Sequence, residues 1–116
     1  MRYAFDDCVL DAERRELRRD GQLGAVEPKV FDLLLYLIGN RQRVVTRDDL
    51  IAHIWNGRIV SESSLASCIN AARTAVGDTG DAQRLIKTLP RKGITPGGFR
   101  DQVRGYARDT TRKTLM

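Results

Sequence analysis

Hydrophobic and polar residues alternate in short segments near the N-terminus, then recur with a helical period, and alternate again after residue 84. The N-terminal segments 3–5, 8–10 and 16–18 are followed by a turn-rich stretch at 20–24. Two-residue periodicity with tight connections is typical of antiparallel strands that are covered on one face. The start of the chain is therefore predicted to form a small antiparallel sheet.

Two helices are predicted next along the chain. The first begins at Pro28, because proline is tolerated at the first helical position, and it is apolar around most of its circumference until Gly39. Such a helix belongs in the centre of a core. The second begins with a capping box between Thr46 and Asp49 and ends after a buried stripe that includes Trp55.

A third helix is predicted over about residues 61–76, with Ser61 as its N-cap and Gly77 as its stop. Its buried seam follows the spacing of one helical face: Leu65, Ile69, Ala72 and Val76. The opposite face carries only small or neutral polar side chains: Ser63, Ser67, Asn70, Ala71 and Thr74. Because a solvated helix more often shows Glu and Lys, this face suits close contact with a partner, although a soluble helix can also lack charge.

A strand at 85–89 followed by the cationic tip 90–93 predicts a β-hairpin behind the third helix. Two helices joined by a loop, with a hairpin after the second, make a winged helix-turn-helix. The predicted fold is therefore α+β, with an N-terminal antiparallel sheet, three helices and a C-terminal hairpin wing. A helix followed by a cationic hairpin suits a helix in the major groove of DNA with the wing, about 85–99, on the adjacent backbone.

Length and charge agree with one small domain that binds an anionic partner. The chain has 116 residues and a net charge of +5. Residues 84–116 carry nine basic and two acidic side chains, whereas residues 1–83 carry eleven and thirteen. The positive potential is thus concentrated in the hairpin and the tail, where it would attract phosphates. We predict a winged-helix domain over 1–100 and a basic, flexible tail over 101–116.

The sequence offers little for catalysis or metal binding. Cys8 and Cys68 form no CxxC pair, and His53 is the single histidine. No phosphate loop or convergent set of acid, base and nucleophile is present, so neither catalytic residues, metal ligands nor a cofactor are expected. The longest apolar run is also too short to cross a bilayer, and no signal peptide is apparent, which predicts a location in the cytoplasm.

Several linked segments, in this order, resemble the OmpR/PhoB-type winged-helix DNA-binding domain of bacterial transcription regulators. The resemblance covers about residues 1–93, including a four-strand N-terminal sheet. It is carried by EPKVFDLL (27–34), VVTRDDLI (44–51), IW (54–55), VSESSL (60–65) and RLIKTLPRKG (84–93). Because the domain begins at Met1, the resemblance is to the one-component, CadC/ToxR-like variant, in which the DNA-binding module comes first.

The resemblance implies double-stranded DNA as the partner, and it implies roles by position. The residues expected to face bases are Ser63, Ser67, Asn70 and Thr74. Those expected to hold phosphates are Trp55, Arg73, Lys87, Thr88, Arg91 and Lys92. The loop expected to face RNA polymerase or a neighbouring subunit, for example in a homodimer on tandem DNA sites, consists of Asn56, Gly57, Arg58, Ile59 and Val60.

The segment after Gly93 departs from the family pattern. An aromatic strand normally follows directly, but this chain has Pro96 and two glycines before Phe99, which would have to supply the aromatic plug after a longer loop. Proline and glycine weaken a strand, so the wing is expected to be atypical. The alternative function is therefore a winged-helix protein-interaction module with weak or lost DNA binding.

Overall fold

The N-terminal sheet is a meander of four short antiparallel strands. In the computed structural model, which describes residues 1–100 and 102–106, the strands are β1 (Arg2–Phe5), β2 (Cys8–Asp11), β3 (Glu16–Arg19) and β4 (Gln22–Gly24). The turn before β4 contains Asp20 and Gly21 with positive φ angles of 53° and 78°. The predicted four-strand sheet is confirmed, although β4 lies inside the segment that was predicted as a turn.

Helices α1 (Pro28–Gly39) and α2 (Arg47–Ile54) begin at the predicted residues. The Thr46 hydroxyl accepts the Asp49 N–H at 3.1 Å, and the Asp49 carboxylate accepts the Thr46 N–H at 3.0 Å, which confirms the capping box. These bonds satisfy two N–H groups that a helix start would otherwise leave unpaired. Helix α1 lies at the centre of the core and buries Val30, Phe31, Leu33, Leu34, Leu37 and Ile38.

Helix α3 (Glu62–Ala75) is capped by the Ser61 hydroxyl, which accepts the Ser64 N–H at 3.1 Å. The chain leaves the helix at Gly77, whose φ of 81° is easily adopted by glycine. The predicted seam is mostly correct, but Ile69 is only half-buried and Cys68 is buried beside Leu65. Every residue predicted to face outward is exposed: Ser63, Ser67, Asn70, Ala71 and Thr74.

The wing is a short hairpin of β5 (Lys87–Leu89) and β6 (Gly93–Thr95). At its tip Arg91 has a φ of 66°, and the Lys92 N–H donates to the Leu89 carbonyl at 3.1 Å. Strand β6 is also joined to the residue before α2's cap, because Val45 and Ile94 exchange two backbone hydrogen bonds of 2.8 and 2.9 Å. These bonds hold the wing against the helix-turn-helix.

Two boundaries differ from the prediction. The predicted strand 85–89 begins only at Lys87, since Leu85 and Ile86 are buried in the core before the hairpin starts. After the wing, the short helix α4 (Gly97–Arg100) leads to β7 (Arg104–Tyr106), which pairs antiparallel with β1.

Strand β7 adds a fifth strand to the N-terminal sheet, in the order β4-β3-β2-β1-β7. The predicted boundary at residue 100 therefore falls inside the folded unit, and the prediction of three helices omits α4. This strand could not be predicted from the sequence, because Arg-Gly-Tyr shows no alternation of apolar and polar residues. Its pairing with β1 is made by backbone hydrogen bonds, which do not depend on such a pattern. The remainder of the predicted tail, residue 101 and residues 107–116, lies outside the described residues.

Phe99 closes the core between the wing and the sheet. Its ring is fully buried and meets the Phe5 ring edge to face, with 5.1 Å between the ring centroids. Gly98 makes this entry feasible, because a Cβ there would lie 2.1 Å from the Arg84 carbonyl oxygen. The atypical segment after Gly93 thus supplies an aromatic plug from a short helix.

Candidate nucleic-acid interface

The exposed face of α3 lies between two grooves. A groove of about 640 Å³ separates α3 from the start of α2 and the wing, and its lining includes Asn70, Arg91 and Lys92. A second groove, of about 500 Å³, separates α3 from the start of α1, and its lining includes Ser63 and Ser67. The predicted base-facing residues therefore form a ridge with a concave surface on either side.

Arg73 departs from its predicted role, because it is buried rather than free to reach a phosphate. Only 4% of it is exposed. Its guanidinium donates to the Ile86 carbonyl at 3.0 Å, the Thr88 hydroxyl at 2.8 Å and the Asn70 side-chain oxygen at 3.1 Å. Burial lowers the pKa of Arg73, and the charge of Asp78 acts in the opposite direction. Arg73 is therefore a positioning residue that ties α3 to the first strand of the wing.

Asp78 is a structural anchor to which the sequence analysis assigned no role. Its buried carboxylate accepts backbone N–H groups from Arg84, Leu85 and Ile86 at 2.8 to 3.1 Å, and one from Thr79 at 2.8 Å. Burial alone would raise the pKa of Asp78, but these four donors lower it overall. The carboxylate thereby fixes the segment that enters the wing.

The wing presents cations to solvent. Lys87, Arg91 and Lys92 are exposed, and none of them forms an ion pair with another residue in the described part of the chain. Across the larger groove, Arg47 at the start of α2 pairs with Glu62 at the start of α3. Unpaired cations beside an uncharged ridge favour binding of a polyanion along the wing side.

Trp55 and the loop after it lie at the other end of the ridge. Trp55 is half-buried, packs against the core and lines the smaller groove. Asn56 and Gly57 then adopt positive φ angles of 53° and 79°, which turn the chain sharply away from α2. Within the loop 56–60, Ile59 is fully exposed. Its side chain is therefore free of contacts that the fold requires.

The two cysteines lie buried in the protein, and the single histidine lies on its surface. Cys8 and Cys68 are buried free thiols, and burial raises their pKa values to about 12 and about 11. His53 is exposed and stacks on Tyr36. Within residues 1–100 and 102–106, no group of three or more His, Cys, Asp or Glu side chains could hold a metal ion. No helix in that part of the chain is long and apolar enough to span a bilayer.

Comparison with known proteins identifies relatives among transcription regulators. CadC, a transcriptional activator of Escherichia coli (strain K12), is 29% identical over 79 residues, which are 67% of this chain and 15% of CadC. The chain thus spans about one-seventh of the length of this curated relative.

Two solved structures share the fold. The response regulator DrrB of Thermotoga maritima, an OmpR/PhoB homologue, is 31% identical, with a TM-score of 0.72 over 81% of this chain and 43% of DrrB. The DNA-binding domain of Klebsiella pneumoniae RstA, solved in complex with the RstA box, is 22% identical, with a TM-score of 0.73 over 84% of this chain and 97% of that domain.

The family comparison covers the helix-turn-helix and the wing together. Residues 21–95 match the family described as "Transcriptional regulatory protein, C terminal". This range begins at the turn before β4 and ends with the last residue of β6, so it contains α1, α2, α3 and both strands of the hairpin. The chain belongs to this family and is an OmpR/PhoB-type winged-helix domain of a transcription regulator.

Proposed function

We propose that this domain binds double-stranded DNA with α3 in the major groove and the wing on the adjacent backbone and minor groove. A helix of 14 residues is about 21 Å long and about 10–12 Å across, which suits a major groove about 12 Å wide. The RstA structure, which contains its own DNA box, supports the same use of this fold. Binding to the chromosome would place the domain in the bacterial cytoplasm.

The observation that carries the proposal is the exposed, uncharged ridge of α3 beside unpaired wing cations. Small polar side chains allow the helix backbone to approach base edges closely, whereas cations on the wing attract phosphates and set the register. In this proposal Ser63, Ser67, Asn70 and Thr74 face bases. Phosphates are held by Trp55, Lys87, Thr88, Arg91 and Lys92, with Arg73 acting behind them.

Replacing Arg91 or Lys92 by alanine should weaken binding to all duplexes by a similar factor. If each neutralises one phosphate, each replacement should reduce the slope of log affinity against log salt concentration by about 0.9. The slopes can be measured by fluorescence anisotropy with a labelled duplex at several salt concentrations. Arg14→Ala is the matched control, because Arg14 is exposed on the turn between β2 and β3, away from α3 and the wing, and should leave the slope unchanged.

The alternative function, a protein-interaction module, predicts a different outcome. The wild-type chain would then fail to bind random or genomic DNA fragments even at low salt, while it retained a protein partner. Unchanged slopes for both wing variants, with DNA binding intact, would instead remove the wing from the interface. The two results separate loss of the function from a wrong docking geometry.

We also propose that the loop 56–60 contacts RNA polymerase or a neighbouring copy on tandem DNA sites. The proposal rests on the position of the loop between α2 and α3 and on its exposure: residues 56–59 are all exposed, so the apolar Ile59 side chain is available to a partner. Ile59→Asp should leave stability within about 0.5 kcal/mol and affinity for a single DNA site unchanged. Transcription in a reconstituted assay, or cooperative binding to two tandem sites, should fall; retention of both would exclude the loop.

A further inference from the structure

Among the residues predicted to face bases, Asn70 is the one whose side chain hydrogen-bonds to another side chain in the described part of the chain. It lies exposed on α3, and its Oδ1 accepts a hydrogen bond from Arg73 Nη1 at 3.1 Å. Ser63, Ser67 and Thr74 have no such bond to another side chain in the described residues. The orientation of the Asn70 amide is therefore decided inside the domain, before any DNA binds.

Chemistry fixes which end of the amide faces Arg73. A guanidinium has only N–H donors, so it can be satisfied by the amide oxygen but never by the amide nitrogen. Arg73 cannot turn away, because its other nitrogens are held by the Ile86 carbonyl and the Thr88 hydroxyl, both part of the wing entry. The oxygen also lies beside the loop after α3, 3.9 Å from where a Cβ on Gly80 would stand. The Nδ2 group of this exposed residue, with two N–H donors, forms no hydrogen bond to another described residue.

We propose that Asn70 reads DNA as a hydrogen-bond donor and selects a keto base, guanine or thymine, at one position. Guanine N7 and O6 and thymine O4 accept hydrogen bonds in the major groove. Adenine offers the N7 acceptor with the N6 donor beside it, and cytosine offers only a donor. The usual asparagine pairing with adenine uses the amide oxygen and nitrogen together, and Arg73 already engages one of the two lone pairs of that oxygen, which weakens this bidentate pairing. This inference rests on the proposed DNA-binding function and adds its base specificity.

The test is selection of bound duplexes from a randomised library by the full chain, followed by affinity measurements on single-base variants. The wild type should prefer guanine or thymine at one position by roughly two- to tenfold, the value of one net hydrogen bond. Asn70→Asp has the same shape but only acceptors, so the preference at that position should change to cytosine or adenine. Asn70→Ala should lose the preference there without acquiring another. Arg14→Ala, outside the proposed interface, is the control and should leave that position unaltered.

Arg73→Met tests the fixed orientation separately. Methionine fills the buried space without donors, so the freed Asn70 amide can turn and adenine should become acceptable at the same position. Thermal unfolding of this variant measures the stability lost with the bonds to Ile86 and Thr88. If Arg73 had only a structural role, stability would fall but the base preference would not change. An adenine preference in the wild type, or one selected motif shared by wild type and Asn70→Asp, would overturn the inference. Failure of the wild type to bind any duplex would overturn the proposed function itself and the base specificity with it.

Discussion

Replacement of Phe99 by alanine is expected to destabilise the domain by about 3–5 kcal/mol, because it removes a fully buried ring and leaves a cavity. The edge-to-face contact with Phe5, at 5.1 Å between centroids, is lost as well. Small domains have unfolding free energies of about 5–15 kcal/mol, so the variant should be close to its unfolding threshold at physiological temperature. Urea denaturation followed by circular dichroism measures the loss.

Two further variants make the Phe99 result specific. Phe99→Leu keeps most of the buried volume and should cost less than about 1.5 kcal/mol. Leu23→Ala removes an aliphatic side chain from the exposed edge strand β4 and should be nearly neutral. If Phe99→Ala unfolds at the same urea concentration as the wild type, the segment after the wing does not enter the core as described.

Replacement of Asp78 by alanine is expected to cost about 3–5 kcal/mol, comparable to breaking a buried charged pair. Three of its backbone donors, the N–H groups of Arg84, Leu85 and Ile86, lead into the wing and would lose their acceptor. Asp78→Asn should cost less, since one oxygen remains. Asp81→Ala, an exposed residue of the same loop, is the control and should stay within about 0.5 kcal/mol. Urea denaturation at neutral pH distinguishes the three.

The same carboxylate should make stability depend on pH. Its pKa in the folded state lies below its ordinary value of 3.8, so its contribution is fully present above that value. The contribution is lost as the pH falls through the lower, folded pKa, because protonation then favours the unfolded chain. Unfolding free energies measured between pH 7 and pH 2 should fall less steeply for Asp78→Asn than for the wild type. Parallel curves would mean that Asp78 is not the group that titrates.

Local sequence patterns were sufficient to predict the helix caps, the central helix and the exposed face of α3. Thr46 and Asp49 form the capping box that their spacing predicts, and Ser61 caps α3. The apolar period of α1 correctly predicted the central helix. The exposed, uncharged face of α3 was also predicted correctly, because helical spacing in the sequence places its small and neutral polar residues on one side.

The errors concern residues whose role depends on what the fold brings beside them. Arg73 was expected to hold a phosphate, but the segment that leads into the wing covers it, and its guanidinium donates to the Ile86 carbonyl and the Thr88 hydroxyl instead. Asp78 was assigned no role, because its four backbone partners are brought to it only by the folding of the loop around its carboxylate. The periodicity of hydrophobic residues cannot reveal hydrogen bonds between residues that are far apart in the sequence.

The amino-acid sequence by itself determined the α+β winged-helix class, the helix boundaries near their caps, and the concentration of positive charge toward the C-terminal third, because periodicity, capping and charge are local properties. Only the tertiary structure decided that β7 returns to β1, that Phe99 closes the core, and that Arg73 and Asp78 face inward. Those outcomes depend on long-range backbone pairing and on burial, which exist only once distant segments meet. The orientation of the Asn70 amide was also decided by the tertiary structure. Arg73 holds the amide oxygen, and Arg73 is itself held by residues that lead into the wing.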